Sequence, residues 1–312
     1  MNLTSALFRL LIFPGLLFAV PASWLFLWVE RKAVALMQQR IGPPFLQPCF
    51  DFMKLMGKST PLRQGINGAL MRAWPILSVA ASVGALGLLP VFPRSTGSSG
   101  GSSSGFAGDL ILLLALLELP SFFIICAGYT SRSLYGEIGS VREALLSISY
   151  NLVFLIAIVS IAVSQHSFRL EDLAESPLSP LRLLGILAIL VCIPAKLHIN
   201  PFSLPNAEQE IYAGPMTEYA GPELGLWELA HGLEWVTMTG LVASLALPRT
   251  GMWPADAALF VVISLGIVLL LSGVAAATAR LTIDSSVRFY WRCALVVAVL
   301  AISLPLLMRI KL

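Results

Sequence analysis

Charge is what this sequence has least of. Lysine, arginine, aspartate and glutamate make up 12% of its 312 residues, about half the roughly 25% of an ordinary water-soluble domain. Mean hydropathy is +0.84. Most of the chain therefore needs a solvent other than water, which excludes a soluble enzyme. Cysteine and histidine are also scarce. Four cysteines (Cys49, Cys126, Cys192 and Cys293) and three histidines are scattered, without a CxxC or HxxxH pair. The cysteines read as packed or lipid-facing small residues, and no iron–sulfur cluster, zinc or other cofactor of the chain's own is expected. There is no internal repeat, which weakens a reading as a repeat-built secondary transporter. The basic-then-apolar order of a signal peptide is missing too, because Glu30, Arg31 and Lys32 follow the first apolar run; that run reads as a retained span. The net charge is only +3, and no nucleic-acid partner is expected.

What is present is a series of apolar runs close to the roughly 20 residues that a spanning helix needs. They predict an all-α polytopic membrane bundle of about eight spans in a single domain, residues 1–312. The spans are placed near Ala6–Val29, Ala73–Phe92, Asp109–Thr130, Arg142–Ser164, Leu181–His198, Leu224–Leu247, Ala255–Ala279 and Trp291–Met308. Prolines inside these runs, such as Pro21, Pro75, Pro120 and Pro194, are tolerable where neighbouring helices re-satisfy the freed carbonyls. With both termini outside, 13 of the 20 lysines and arginines fall on the inner side, Lys196 among them; the positive-inside rule favours that orientation. The stretch GSSGGSSSG between Arg94 and Gly108 reads as an outer linker without chemistry.

Two inner segments, residues 30–72 and 199–223, look built to form something together, a docking platform. In the first, Phe45 to Gly57 is amphipathic, with Phe45, Leu46, Cys49, Phe52, Met53 and Met56 at helical spacing and Asp51, Lys54 and Lys58 elsewhere. Such a helix lies at the membrane interface, its basic edge toward headgroups or a docked protein. The second holds Glu208, Glu210, Glu218 and Glu223 among prolines and glycines. These acids either solvate an exposed loop or line a polar cleft.

On these residues the chain resembles a known family. ERK at Glu30–Lys32, QxRxGP at Gln38–Pro43, QPxxDxxKL at Gln47–Leu55, and PFxxPxAEQE with TEYxG across Pro201–Gly221 resemble the membrane subunit that forms the quinone cavity of respiratory complex I. Its relatives in energy-converting group 4 membrane-bound [NiFe] hydrogenases share these marks. Gly42-Pro43 runs straight into Pro44-Phe45-Leu46-Gln47, Asn151 follows Ser149-Tyr150 where complex I usually has an acid, and Arg142-Glu143-Ala144 and Ala213-Gly214-Pro215 are present. These features are similar to the hydrogenase branch, whereas Trp28-Val29-Glu30-Arg31 has a complex I character.

The resemblance implies a coupling subunit in a bacterial or archaeal cytoplasmic membrane. A peripheral arm bearing the nickel–iron site and an iron–sulfur small subunit would dock on the inner face, with antiporter-like membrane subunits beside it. Arg31, Lys32, Arg40, Asp51, Lys54 and the turn Gly42, Pro43, Pro44 would form much of the platform. The alternative is the quinone-binding subunit of a complex I-type dehydrogenase, and a quinone is possible on either branch. A stand-alone ion transporter and a pure anchor are the rival classes.

Ionisable residues within spans are costly and hence functional candidates. Glu118 lies nine residues beyond Asp109, about 14 Å along a helix, and just before Pro120. Glu228, His231 and Glu234 fall at relative angles of about 0°, 300° and 240°, one helical face. Three titratable groups on one stripe have the form of a proton relay. Glu143, at the inner end of its span, could hand protons to it from the Glu208, Glu210 and Glu218 loop. The structural alternatives are a Glu143 pairing with Arg142 or Arg132, and a His231 or Glu234 that serves only as an interhelical hydrogen-bond partner.

Overall fold

The computed structural model describes residues 15–59, 67–90, 108–165, 167–175, 179–206, 208–246 and 253–310. Every regular element among them is helical. In chain order they are α1 (Leu16–Met37), α2 (Gln47–Met56), α3 (Gly68–Leu88), α4 (Asp109–Thr130), α5 (Leu134–Gln165), α6 (Leu170–Glu175), α7 (Pro180–Lys196), α8 (Glu208–Ile211), a 3₁₀ turn (Gly214–Met216), α9 (Gly221–Ala246), α10 (Trp253–Ala277) and α11 (Ile283–Ile310). The start of the first expected span and the serine–glycine linker lie outside the described residues.

The helix ends follow local chemistry. Asn67 caps α3, its side chain accepting from the Ala69 and Leu70 amides at 3.1 and 3.4 Å. Ser179 caps α7 by accepting from the Arg182 amide at 3.2 Å, with Pro180 in the first turn. Pro there costs nothing, because the first-turn amide has no intrahelical partner to lose. Pro21, Pro75, Pro120 and Pro194 all sit inside helices, as expected where neighbours replace water as partners.

Helix α9 is the axis of the bundle. It is buried almost all round from Leu229 to Leu245, with α1, α3 and α10 packed against it and α2 beneath. Helix α4 packs on α3 and α5, and α7 and α11 pack on α5. A helix buried on all faces has no amphipathic stripe to read, so the polar residues of α9 carry the information.

Gly68–Leu88, Asp109–Thr130, Leu134–Gln165 and Ala255–Ala277 are long and apolar enough to cross a membrane. The helices α1, α7, α9 and α11 overlap the other four expected spans, but their described residues do not meet that length and hydropathy. Glu30–Lys32 lie within α1, three glutamates lie within α9, α7 has 17 residues, and α11 begins in polar sequence.

One boundary changes the geometry of the site. The fourth span was expected to begin at Arg142, but α5 begins at Leu134. Glu143 is therefore about two and a half turns into the helix rather than at its mouth. This end of α5 lies close against its neighbours. A Cβ on Gly139 would meet Pro215 Cδ at 2.5 Å and Pro215 N at 2.8 Å, so only glycine lets the 3₁₀ turn seat against the first turns of α5.

Candidate functional site

Lys196 ends α7 with its side chain inside the bundle, 2% exposed. Expected among the inner surface cations, it is instead a core residue. Its ammonium lies 3.0 Å from Ser121 Oγ and 3.6 Å from Glu118 Oε1, with the Tyr150 ring 5.7 Å away. The Asn151 amide donates to the other oxygen of Glu118, and the Ser121 and Tyr150 hydroxyls are 3.2 Å apart.

Two residues later the chain turns sharply. His198 has φ +52°, a left-handed conformation that a β-carbon makes costly. The turn aims its ring at Glu143, with His198 Nε2 2.8 Å from Glu143 Oε2. Glu143 is completely buried, and its Oε1 has no hydrogen-bond partner. It therefore pairs with His198 rather than with Arg142 or Arg132. On the far side, His231 lies parallel to His198, with ring centroids 6.5 Å apart and planes at 5°. His231 Nε2 is 3.3 Å from Trp235 Nε1, which can only donate. That bond assigns the neutral His231 ring its proton on Nδ1. One turn along α9, Glu234 is buried and its Oε1 also lacks a partner.

Cavities connect these groups to the face that carries Arg31, Arg142 and Arg280. A cavity of about 420 Å³ is lined by Glu228, His231 and Glu234 together with Glu30, Arg31 and His198. A second, of about 640 Å³, shares Glu30, His198, Asn206 and His231 with it and reaches Gln38, Ser203 and Arg280. The angular arithmetic for the α9 stripe is thus matched: all three residues face one space. Buried polar groups are normally hydrogen-bonded, so a carboxylate oxygen without a partner beside a cavity is a place for a proton or a water.

The basic face is built separately. Gly42 (φ +71°) turns the chain after α1; a Cβ there would meet Lys32 Cδ at 2.9 Å. Lys32 Nζ donates to the Ile41 carbonyl at 2.6 Å and Trp28 Nε1 to the Pro43 carbonyl at 3.2 Å. Arg31 joins this turn to α2 and α9 through Asp51 at 3.3 Å and Glu228 at 3.7 Å. Arg40, Pro44 and Lys54 are exposed. Opposite them, Glu210 is gripped by Arg142 at 2.5 Å and Arg280 at 2.9 Å. The Arg142 hydrogen bond, helped by the two positive charges, holds its carboxyl below the usual glutamate range.

The expected site residues therefore divide. Glu143, His231 and Glu234 gather in the interior, whereas Glu118, its side chain 30% exposed, meets the buried Lys196 from the edge. Glu228 lies at its rim, paired with Arg31, and Glu210 is a surface clamp. Glu218 is half-buried in the loop, and the Glu208 side chain lies outside the described residues. Sequence reasoning missed Lys196, His198 and Glu30. Only Glu30 carried a signal, as the acid of the ERK motif at the end of an apolar run.

The model of the NADH dehydrogenase family matches residues 10–305. The chain belongs to that family. It is a complex I-like membrane subunit, as the two loop motifs implied. It is 28% identical over 288 residues to a subunit of the NADH-quinone oxidoreductase of Methylococcus capsulatus, covering 88% of each chain. Over 236 residues it is 30% identical to a chain of the NADH-ubiquinone oxidoreductase of Mycosarcoma maydis, covering 72% of this chain and 70% of the relative. Among solved structures, a chain of the membrane-bound sulfane sulfur reductase, an archaeal respiratory membrane complex, superimposes with a TM-score of 0.81 at 27% identity, covering 96% of this chain and all of that one. These relatives are named as parts of oxidoreductase complexes.

Proposed function

We propose that this chain is the membrane-embedded coupling subunit of an ion-translocating oxidoreductase complex of the membrane-bound [NiFe] hydrogenase type. It anchors a peripheral redox arm with nickel–iron and iron–sulfur centres on the face bearing Arg31, Arg40 and Lys54, and links electron transfer to antiporter-like membrane neighbours. The observation that carries the reading is the cavity lined by Glu228, His231 and Glu234 together with His198, whose ring pairs with the buried Glu143. No group here makes or breaks substrate bonds. Redox events in the arm shift the loop held by Glu210, and the loop biases protonation of the interior carboxylates. The eight-span topology with both termini outside belongs to the same proposal.

One observation favours a second reading. The 640 Å³ cavity between α1, α9 and α10 has room for a quinone headgroup, and the relatives above include quinone oxidoreductase subunits; a quinone-binding subunit of complex I type follows from that. Purifying the native complex separates the two. The hydrogenase reading expects nickel and hydrogen evolution; a nickel-free complex that reduces quinone overturns it. Reversing charge at Arg40 and Lys54 is expected to release the arm more readily at raised salt, since exposed pairs are weak and screened. A complex that stays intact removes the platform assignment.

A further inference from the structure

Glu118 sits among oxygens that suit a hard cation: its own carboxylate and the Ser121 and Tyr150 hydroxyls, with the Asn151 amide nitrogen donating to the carboxylate's Oε2. The cation already there is Lys196, 3.0 Å from Ser121 Oγ and 3.6 Å from Glu118 Oε1. Its side chain is buried, reaching from the end of α7 to α4 and α5, and the covalent tether keeps the ammonium there. The other titratable groups beside it are Tyr150 on α5, His198 after α7, and Glu234 on α9.

We propose that Lys196 makes the step from Glu234 to Glu118 selective for protons, because its tethered ammonium occupies the oxygen-lined seat that a free sodium ion would take. The inference rests on the reading of the interior carboxylates as an ion path. One buried ammonium against one carboxylate leaves no net charge to draw in a second cation, and a sodium ion entering would face the lysine across a few ångströms of low dielectric. A proton needs no such seat: it binds a Glu118 oxygen while Lys196 stays in place. Ion choice on this segment is then a matter of charge balance. Two changes upset it in the same direction. Lys196→Gln removes the cation, and Asn151→Asp adds a carboxylate while leaving the lysine and the shape of the side chain.

The test uses the whole complex in sealed vesicles, with electron-driven ion flux per electron measured without sodium and with saturating sodium chloride. Each variant is compared with the unsubstituted complex, so that any sodium response of other subunits cancels. The proposal expects both variants to gain a sodium response of severalfold, and Lys196→Arg to respond as the unsubstituted complex does. If Asn151→Asp, or an assembled Lys196→Gln, responds to sodium no differently from the unsubstituted complex, the assignment is overturned; so is it if Lys196→Arg gains the response. Asn151→Asp keeps the test decisive should Lys196→Gln not assemble. Glu234→Gln separates the two levels of failure: if it leaves flux per electron unchanged, the ion path itself fails, whatever the sodium result.

Discussion

The two ends of the bundle treat buried charge in opposite ways. At the end away from the basic face, Arg182 is 1% exposed. Its guanidinium donates to the Leu245 carbonyl at 2.9 Å and the Ala174 carbonyl at 3.2 Å. It closes the last turn of α9, whose carbonyls have no intrahelical partner. Asp109 is likewise buried and accepts from the Leu170 amide at 3.0 Å, fixing α6 across the end of α4. Both charges hold backbone groups in place. At the other end, Glu143 and Glu234 are as deeply buried, yet each keeps an oxygen without a hydrogen-bond partner, and Glu234 faces a cavity. A satisfied buried charge holds structure, whereas an unsatisfied one beside open space costs stability and is kept for function.

That contrast can be broken. The largest expected effect is at Arg182. Arg182→Met strands at least two carbonyls and should cost about 3 kcal/mol or more, from the loss of charged hydrogen bonds plus buried acceptors left unpaired. A thermal melt of the detergent-solubilised complex reads the loss, while flux per electron in protein that survives stays normal. A variant that melts normally but fails to couple would move Arg182 to the functional side. Next is Gly139→Ala, whose methyl group meets backbone and ring atoms of Pro215 that cannot turn aside. Overpacking of this kind costs about 1–3 kcal/mol, so the melt should fall by less than for Arg182. The loop between α7 and α9 should also become more open to protease.

The smallest effect is a pH response of that loop. Because Arg142 and Arg280 lower the Glu210 pKa, the clamp contributes fully above the ordinary glutamate pKa and is lost as pH falls through the lowered one. Hydrogen exchange across residues 208–217 should therefore stay slow through mildly acidic pH and rise only in stronger acid. Arg142→Gln should move that rise to higher pH. An unmoved profile would show that Glu210 does not hold the loop.

The sequence made part of this contrast legible. Apolar runs placed the long helices, and 100° per residue put Glu228, His231 and Glu234 on one side of α9, where they do line one cavity. Glu118 was found because an acid in an apolar run has no local excuse. Lys196 and His198 were missed for the complementary reason. A lysine at the end of an apolar run ordinarily snorkels to the surface, and nothing local says that the helix stops with the side chain pointing in. His198 needs a left-handed residue after α7 and a partner 55 positions away, which no periodicity reports. Arg182 gave no signal, since the backbone carbonyls it holds have no signature in the sequence.

The most direct test of the central claim is the number of ions moved per electron by complexes carrying Glu143→Gln or Glu234→Gln, measured in sealed vesicles alongside electron transfer to an artificial acceptor. Both substitutions keep the shape of the side chain and remove its charge. The account predicts that ions per electron fall severalfold in both variants, while electron transfer and thermal stability stay near normal. Unchanged ions per electron in both variants would contradict it.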